Sequence, residues 1–111
     1  MDPVIASEKI WAQRPNEEPF EVEIRIGTPY QVGTEPEEWA CPVALTPLYR
    51  KLHDAHGGSS LQALCLASAL ALHLLDGFKE KGGRLFYSSG EGFPLEAYAF
   101  GVATRSSAGG S

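Results

Sequence analysis

The apolar segment from Leu61 to Leu75 constrains the fold more than any other part of the sequence. It reads LQALCLASALALHLL and carries no charged side chain. A helix that is apolar nearly all round must be buried nearly all round. A membrane-spanning helix needs about 20 mostly apolar residues, whereas this run is shorter and the charged stretch DGFKEK follows it at once. The run therefore predicts a buried helix and no membrane association.

The residues on either side of this run set its limits. Gly57 and Gly58 separate the preceding segment from the helix. Ser59 and Gln62 have the Ser-x-x-Gln form of a capping box. Gly82 can supply a left-handed C-terminal cap. These signals predict a helix over residues 60–81.

The surface of this helix is more apolar than one sheet can cover. Leu66 and Leu70 are expected to be buried, and a strip of alanines spaced four apart would let another backbone approach closely: Ala63, Ala67 and Ala71. Three candidates could cover the remaining surface: residues 47–56, the chain around residues 93–100, or a second subunit.

The clearest strand is expected at 20–27, where apolar and charged residues alternate from Phe20 to Ile26 in the segment FEVEIRI. Such alternation is typical of an antiparallel sheet with one dry face. Further strands are expected at 4–11, 39–46 and 84–88, with an edge or bulge at Pro42 because proline lacks a backbone donor. Residues 27–38 suit a long loop and residues 47–56 a short helical turn. The pattern β-β-β-α-β predicts an α+β fold, a mostly meander antiparallel sheet of about four strands packed on one long helix.

The size and composition of the chain fit a single domain in a reducing compartment. Its 111 residues suit one domain, expected at 1–105, and the segment SSAGGS at 106–111 suits a flexible tail. The start, MDPVI, lacks the positive leader and apolar block of a secretory signal. Two cysteines are too few for a disulfide scaffold, which favours a cytoplasmic location.

Nine basic and fourteen acidic side chains give a net charge of −5, which argues against a nucleic-acid partner.

Two groups of residues could in principle carry chemistry. His53 and His56 could bind zinc together with Cys41 or Cys65, but no CxxC or HExxH motif accompanies them. The pair is better explained as solvated, and we expect no metal and no cofactor.

Glu21 and Glu23 share one face of the second strand and could serve acid–base chemistry if burial raised the pKa of one carboxyl. Arg25 on the same face makes a solvated, mutually screened row the better explanation. We therefore predict no catalytic residue. Some exposed aromatic residues could line a binding surface, since Tyr and Trp are enriched at interfaces: Tyr30, Trp39, Tyr49 and Tyr98.

Four short motifs follow one another in a fixed order: IGxP from Ile26, WxCP from Trp39, LQALxLA from Leu61 and GGRL from Gly82. Together they resemble a family of small uncharacterised bacterial domains of unknown function, over residues 4–94. The resemblance implies a bacterial, cytosolic protein. It implies no activity and no catalytic residue.

The excess apolar helix surface favours a non-enzymatic protein-interaction module that associates with itself or with another protein. One alternative is an immunity-like or chaperone-like partner that uses the acidic residues Glu35, Glu37 and Glu38 against a basic protein. Another is a small ligand-binding protein or enzyme that uses the Glu21/Glu23 face or the His53/His56 loop. A measured mass in solution, and a pocket over those side chains, would distinguish these classes.

Overall fold

Two antiparallel sheets pack against one long helix in the computed structural model, which describes residues 3–98. The predicted α+β class is confirmed. In chain order the elements are β1 (Val4–Gln13), β2 (Phe20–Gly27), β3 (Tyr30–Thr34), β4 (Glu37–Cys41), β5 (Val43–Thr46), β6 (Ala55–Gly57), α1 (Ser60–Glu80) and β7 (Arg84–Phe86), followed by a 3₁₀ turn at Leu95–Tyr98.

The first sheet has the strand order β5-β2-β1-β7, and all its neighbours are antiparallel. It contains the two strands predicted at 4–11 and 20–27, the second half of the strand predicted at 39–46, and a shorter version of the strand predicted at 84–88. The alternation in β2 places Val22 and Ile26 on the buried face, while Glu21 is exposed on the other face.

The second sheet has the order β3-β4-β6 and was not predicted. The strand predicted at 39–46 divides at Pro42, so that β4 belongs to the second sheet and β5 to the first. Proline cannot donate a ladder hydrogen bond, and the chain changes sheet at this residue. The long loop predicted at 27–38 contains β3. The helical turn predicted at 47–56 is wrong, because this segment is irregular and ends in β6.

Both predicted caps of the helix are confirmed. The Ser59 hydroxyl accepts a hydrogen bond from the Gln62 backbone N–H at 3.1 Å. At the other end Gly82 has a φ of +92°. The Gly83 N–H donates to the Phe78 carbonyl at 3.1 Å and the Gly82 N–H to the Lys79 carbonyl at 3.0 Å. This pair of bonds is the Schellman motif, which satisfies carbonyls that the last turn leaves unpaired.

The alanine strip of α1 lies in the protein's own core. Ala63, Ala67 and Ala71 are buried among residues of β2, β4 and β5. Strand β6 comes so close that a Cβ built on Gly57 would lie 2.8 Å from the Ala63 nitrogen. The small residues therefore allow close backbone approach, as predicted, but the approaching backbone belongs to the same chain.

The expected burial of Leu66 is wrong, since 44% of this residue is exposed. Leu70 is half-buried. The two sheets lie on the side of α1 that carries the alanines, and Leu66 points away from that side.

By length and composition α1 also meets the requirements for crossing a membrane, with a mean hydropathy of 1.5 over its most apolar stretch. The core helix of a water-soluble protein can meet the same requirements.

The tail predicted at 106–111, and the predicted end of the domain at residue 105, lie outside the described residues.

Candidate functional site

A cavity lies between the hairpin of β1 and β2 and the middle of α1. The alternation of β1 places Ala6, Glu8 and Ile10 on the face that meets the helix, opposite Ile26, Ile24 and Val22 of β2. Ile10 and Val22 are buried in the core. Glu8 therefore presents a carboxylate on the face of the sheet that is otherwise apolar.

One tyrosine from the C-terminal part of the chain contacts this carboxylate, and a second tyrosine contacts the first. The Tyr98 hydroxyl lies 2.8 Å from Glu8 Oε1 and 3.1 Å from Oε2, and donates its proton to the carboxylate. The Tyr87 hydroxyl lies 3.2 Å from the Tyr98 oxygen, which can accept the Tyr87 proton. The hydrogen bond with Tyr87, burial and the Glu8 carboxylate together raise the pKa of Tyr98 well above its ordinary value. Tyr98 is therefore a neutral donor at physiological pH.

The aromatic ring of Tyr98 is held by packing as well as by hydrogen bonds. Its centroid lies 4.7 Å from that of Phe93, and Phe93 contacts Tyr87 edge-on at 5.7 Å. Phe93 itself is buried. This packing fixes Tyr98 at the margin of the cavity.

The cavity has a volume of about 170 Å³. Its wall is mostly apolar, and the Ser68 hydroxyl on the helix side donates to the Leu64 carbonyl at 3.2 Å. The lining residues are Ala6, Ser7, Glu8, Ile24, Ile26, Ser68, Ala71 and Tyr98. One carboxylate beside a mostly apolar wall is typical of a binding site, in which a few polar groups orient the ligand.

The predicted Glu21/Glu23 face lies on the opposite side of the first sheet, away from this cavity. Glu21 is exposed, and Glu23 Oε1 lies 3.7 Å from Arg25 Nε. The cross-strand neighbour of Glu23 is Lys9. These side chains of alternating charge lie on the solvated face of the sheet, where the sequence predicted a row of charges that screen one another.

The His53/His56 loop does not gather a metal-ligand set. His56 Nδ1 lies 2.7 Å from Glu38 Oε2, and Asp54 accepts a hydrogen bond from the Tyr30 hydroxyl. Cys41 is buried and its thiol donates to the Gly27 carbonyl at 3.3 Å. Within residues 3–98, no group of three His, Cys, Asp or Glu side chains could hold a metal ion.

The two cysteines differ in exposure. Burial raises the pKa of the Cys41 thiol, which is opposite to the lowered pKa that a nucleophilic thiolate requires. Cys65 is exposed on α1, and neither cysteine forms a disulfide.

Two of the three acidic residues proposed to meet a basic partner already have partners within the chain. Glu37 accepts a hydrogen bond from the Trp39 indole at 2.7 Å, and Glu38 contacts His56. Of the four aromatic residues considered from the sequence, Tyr98 is the one that lines the cavity.

Sequence reasoning did not single out Glu8. The signal was present, because Ala6, Glu8, Ile10 and Ala12 share one face of a strand by their spacing of two. An acidic residue on the apolar side of such a pattern marks a carboxylate that faces the interior.

A family model described as a domain of unknown function, DUF6968, matches residues 10–96. The chain belongs to this family. Membership in a family of unknown function is thus confirmed, whereas the bacterial origin and the four motifs stay predictions. The DUF6968 match includes β2 to β7 and the last four residues of β1, and it leaves Glu8 and Tyr98 just outside its ends. No curated protein and no solved structure matches the chain.

The arrangement of the His53/His56 loop in this DUF6968 domain leads to a prediction about zinc. The purified protein should contain no stoichiometric zinc, and a chelator should leave its melting temperature unchanged. His56 is paired with Glu38, and Cys41 with a backbone carbonyl. Because structural zinc contributes folding free energy directly, a lower melting temperature after chelation would contradict this prediction. Metal analysis and a thermal melt with and without chelator provide the measurement.

Proposed function

We propose that the chain is a non-enzymatic interaction module that forms a homodimer through the outer face of α1. This outer face consists of Leu61, Cys65, Leu66 and Ala69, all of which are exposed. The observation that carries the proposal is the exposure of large apolar side chains on the part of α1 that has no charged residue: Leu61 is 67% exposed and Leu66 44%.

The charge distribution favours this face as the contact between two copies. Each copy has a net charge of −5, so two copies repel each other wherever acidic residues meet. From Ser60 to Leu75 the helix has no Asp, Glu, Lys or Arg, and this stretch is about 24 Å long at 1.5 Å per residue. Two copies can therefore approach along this stretch with little loss of charge solvation.

The order of large and small residues suits a second copy of the same helix. Leu61, Cys65 and Ala69 are four residues apart and lie in one row along the outer face. In an antiparallel pair centred on Cys65, Leu61 of each copy lies over Ala69 of the other. Large residues thus pack on small ones at both ends, which is the self-complementarity that a two-fold interface requires.

The cytoplasmic location stays part of this proposal. Both cysteines are free thiols in the structure, and exposed free thiols such as Cys65 persist in reducing compartments.

Sedimentation equilibrium and crosslinking through Cys65 test the dimer. At micromolar concentration we expect a species of twice 12.0 kDa, and a short bismaleimide should join two copies through Cys65 because this residue lies at the proposed two-fold axis. Leu66→Asp should give a monomer, since it places a charge in the apolar contact. A Cys65→Ser variant should lose the crosslink and keep the dimer.

Val32→Asp is the matched control, because Val32 is 46% exposed but lies on β3, away from α1. This variant should stay dimeric. A clean 12.0 kDa species for the parent protein, or a dimer that Leu66→Asp leaves intact, would overturn the proposal. Binding of the parent protein to lipid vesicles, without dimer formation, would assign the outer face to a membrane surface instead.

A further inference from the structure

We propose that the cavity between the β1–β2 hairpin and α1 binds a small apolar ammonium compound, with a body about the size of one six-membered ring. Glu8 would take the ammonium group and the apolar wall would take the body. This site lies on the side of α1 that faces the sheets, so it is independent of the proposed dimer.

The size of the cavity sets the size of the ligand. An apolar cavity of about 150 Å³ can hold benzene, and the cavity here has about 170 Å³. Ile24, Ile26 and Ala71 provide apolar contacts on the sheet side and the helix side. One ring with a single carbon substituent matches this volume.

The charge of Glu8 sets the chemistry of the ligand. The contacts of Arg25 with Glu23 and of His56 with Glu38 do not involve Glu8, and within residues 3–98 no cationic side chain lies within ion-pair distance of this carboxylate. A carboxylate offers about four lone-pair positions, whereas Tyr98 supplies one hydroxyl proton. A partly buried carboxylate without a cation is unfavourable, and an ammonium group would supply both the missing charge and the missing donors.

Tyr98 acts here as a positioning residue. Its hydroxyl donates to Glu8 while its ring is fixed against Phe93. Because its pKa is raised, it stays protonated and keeps donating throughout the neutral range. The Tyr98 hydroxyl therefore holds the Glu8 side chain in place at the cavity, where a carboxylate ligand would meet like-charge repulsion.

The test uses benzylamine as the probe, with benzyl alcohol and benzoate as ligands of the same shape. Titration of the full chain, followed by two-dimensional amide NMR, should show saturable shifts at Ile24, Ile26 and Ala71 for benzylamine. Benzyl alcohol should bind about tenfold more weakly, because charge-assisted hydrogen bonds are roughly twice as strong as neutral ones. Benzoate should not bind.

Glu8→Gln removes the charge and keeps an oxygen that Tyr98 can bond, so it should weaken benzylamine binding about tenfold or more. Glu23→Gln, on the outer face of the same sheet, should leave binding unchanged. Ser68→Leu, which fills the cavity from the helix, should abolish the shifts even if Glu8→Gln does not fold. Equal binding of benzylamine and benzyl alcohol, undiminished binding to Glu8→Gln, or no saturable shift in the parent protein would overturn the proposal.

Discussion

Glutamate in place of Ala67 should unfold the protein. Ala67 is fully buried and is surrounded by Ile26, Cys41 and Val43. No polar or charged residue is buried in the described part of the chain, so a carboxylate there would find no partner. An uncompensated buried charge costs about 3–5 kcal/mol, and the whole stability of a domain is about 5–15 kcal/mol. The added side-chain volume increases the cost, because overpacking a core is itself destabilising by about 1–3 kcal/mol.

The matched control for this variant is Ala69→Glu, the same substitution two residues further along the helix. Ala69 is exposed on the outer face, and substitutions at such positions usually change stability by less than about 0.5 kcal/mol. Circular dichroism and urea unfolding, at a concentration low enough for monomers, should show Ala69→Glu folded and Ala67→Glu unfolded or nearly so.

The same two variants separate the fold from the proposed dimer. At micromolar concentration Ala69→Glu should be folded and monomeric. If Ala67→Glu is instead as stable as the parent, the alanine strip does not face the sheets, and the packing of α1 described here is wrong.

Local signals in the sequence predicted the elements whose stabilising interactions are also local. The alternation of β2 identified it from residue 20 to residue 27, because a period of two fixes which side chains face the core. The helix ends followed from Ser59 and Gly82, whose capping bonds join residues only three to five positions apart. Such interactions can be read from a short stretch of sequence.

The second sheet could not be predicted because its strands are short and its pairing is not local. Strand β6 has three residues and pairs with β4, which lies earlier in the chain. Its sequence, AHG, carries no alternation, and its position depends on the close approach of Gly57 to Ala63. The division of the strand at Pro42 likewise depends on which sheet each half joins.

The second sheet also explains why the sequence predicted too much uncovered apolar surface on α1. If only one sheet were present, most of the apolar surface of α1 would have to be buried by a second subunit or by another segment of the chain. Two sheets cover the alanine strip, and the surface left exposed is the narrower outer face that contains Leu61 and Leu66. The sequence could show that α1 has excess apolar surface, but it could not show which leucines would remain outside.

The candidate site was harder to predict than the fold, because it joins the two ends of the described chain. The hydrogen bond between Glu8 and Tyr98 spans 90 residues. The pattern of β1 could have placed Glu8 on the apolar face, but only the folded chain brings Tyr98 to it and Tyr87 to Tyr98. The sequence features that were singled out, the His53/His56 loop and the Glu21/Glu23 face, were conspicuous because their members are neighbours in the chain.

Leucine to alanine substitutions on α1 should have very different effects at positions 75 and 66. Leu75 is fully buried in the cluster that contains Ile10, Val22 and Leu45. Leu75→Ala should lower the free energy of unfolding by about 2–5 kcal/mol, since it removes buried methyl groups and leaves a cavity. Leu66→Ala should lower it by less than about 1 kcal/mol, because much of Leu66 is already in contact with water.

Helix propensity cannot account for such a difference, because both substitutions exchange the same two residues inside the same helix. Urea unfolding of the two variants at a monomeric concentration provides the comparison, with the slope of the transition used to confirm that the unfolded states are alike. If both variants lost the same free energy of unfolding, Leu66 would have to be buried as well. The outer face would then be covered by the chain itself, so the structural basis for the proposed dimer would be lost while the core around Leu75 would stand.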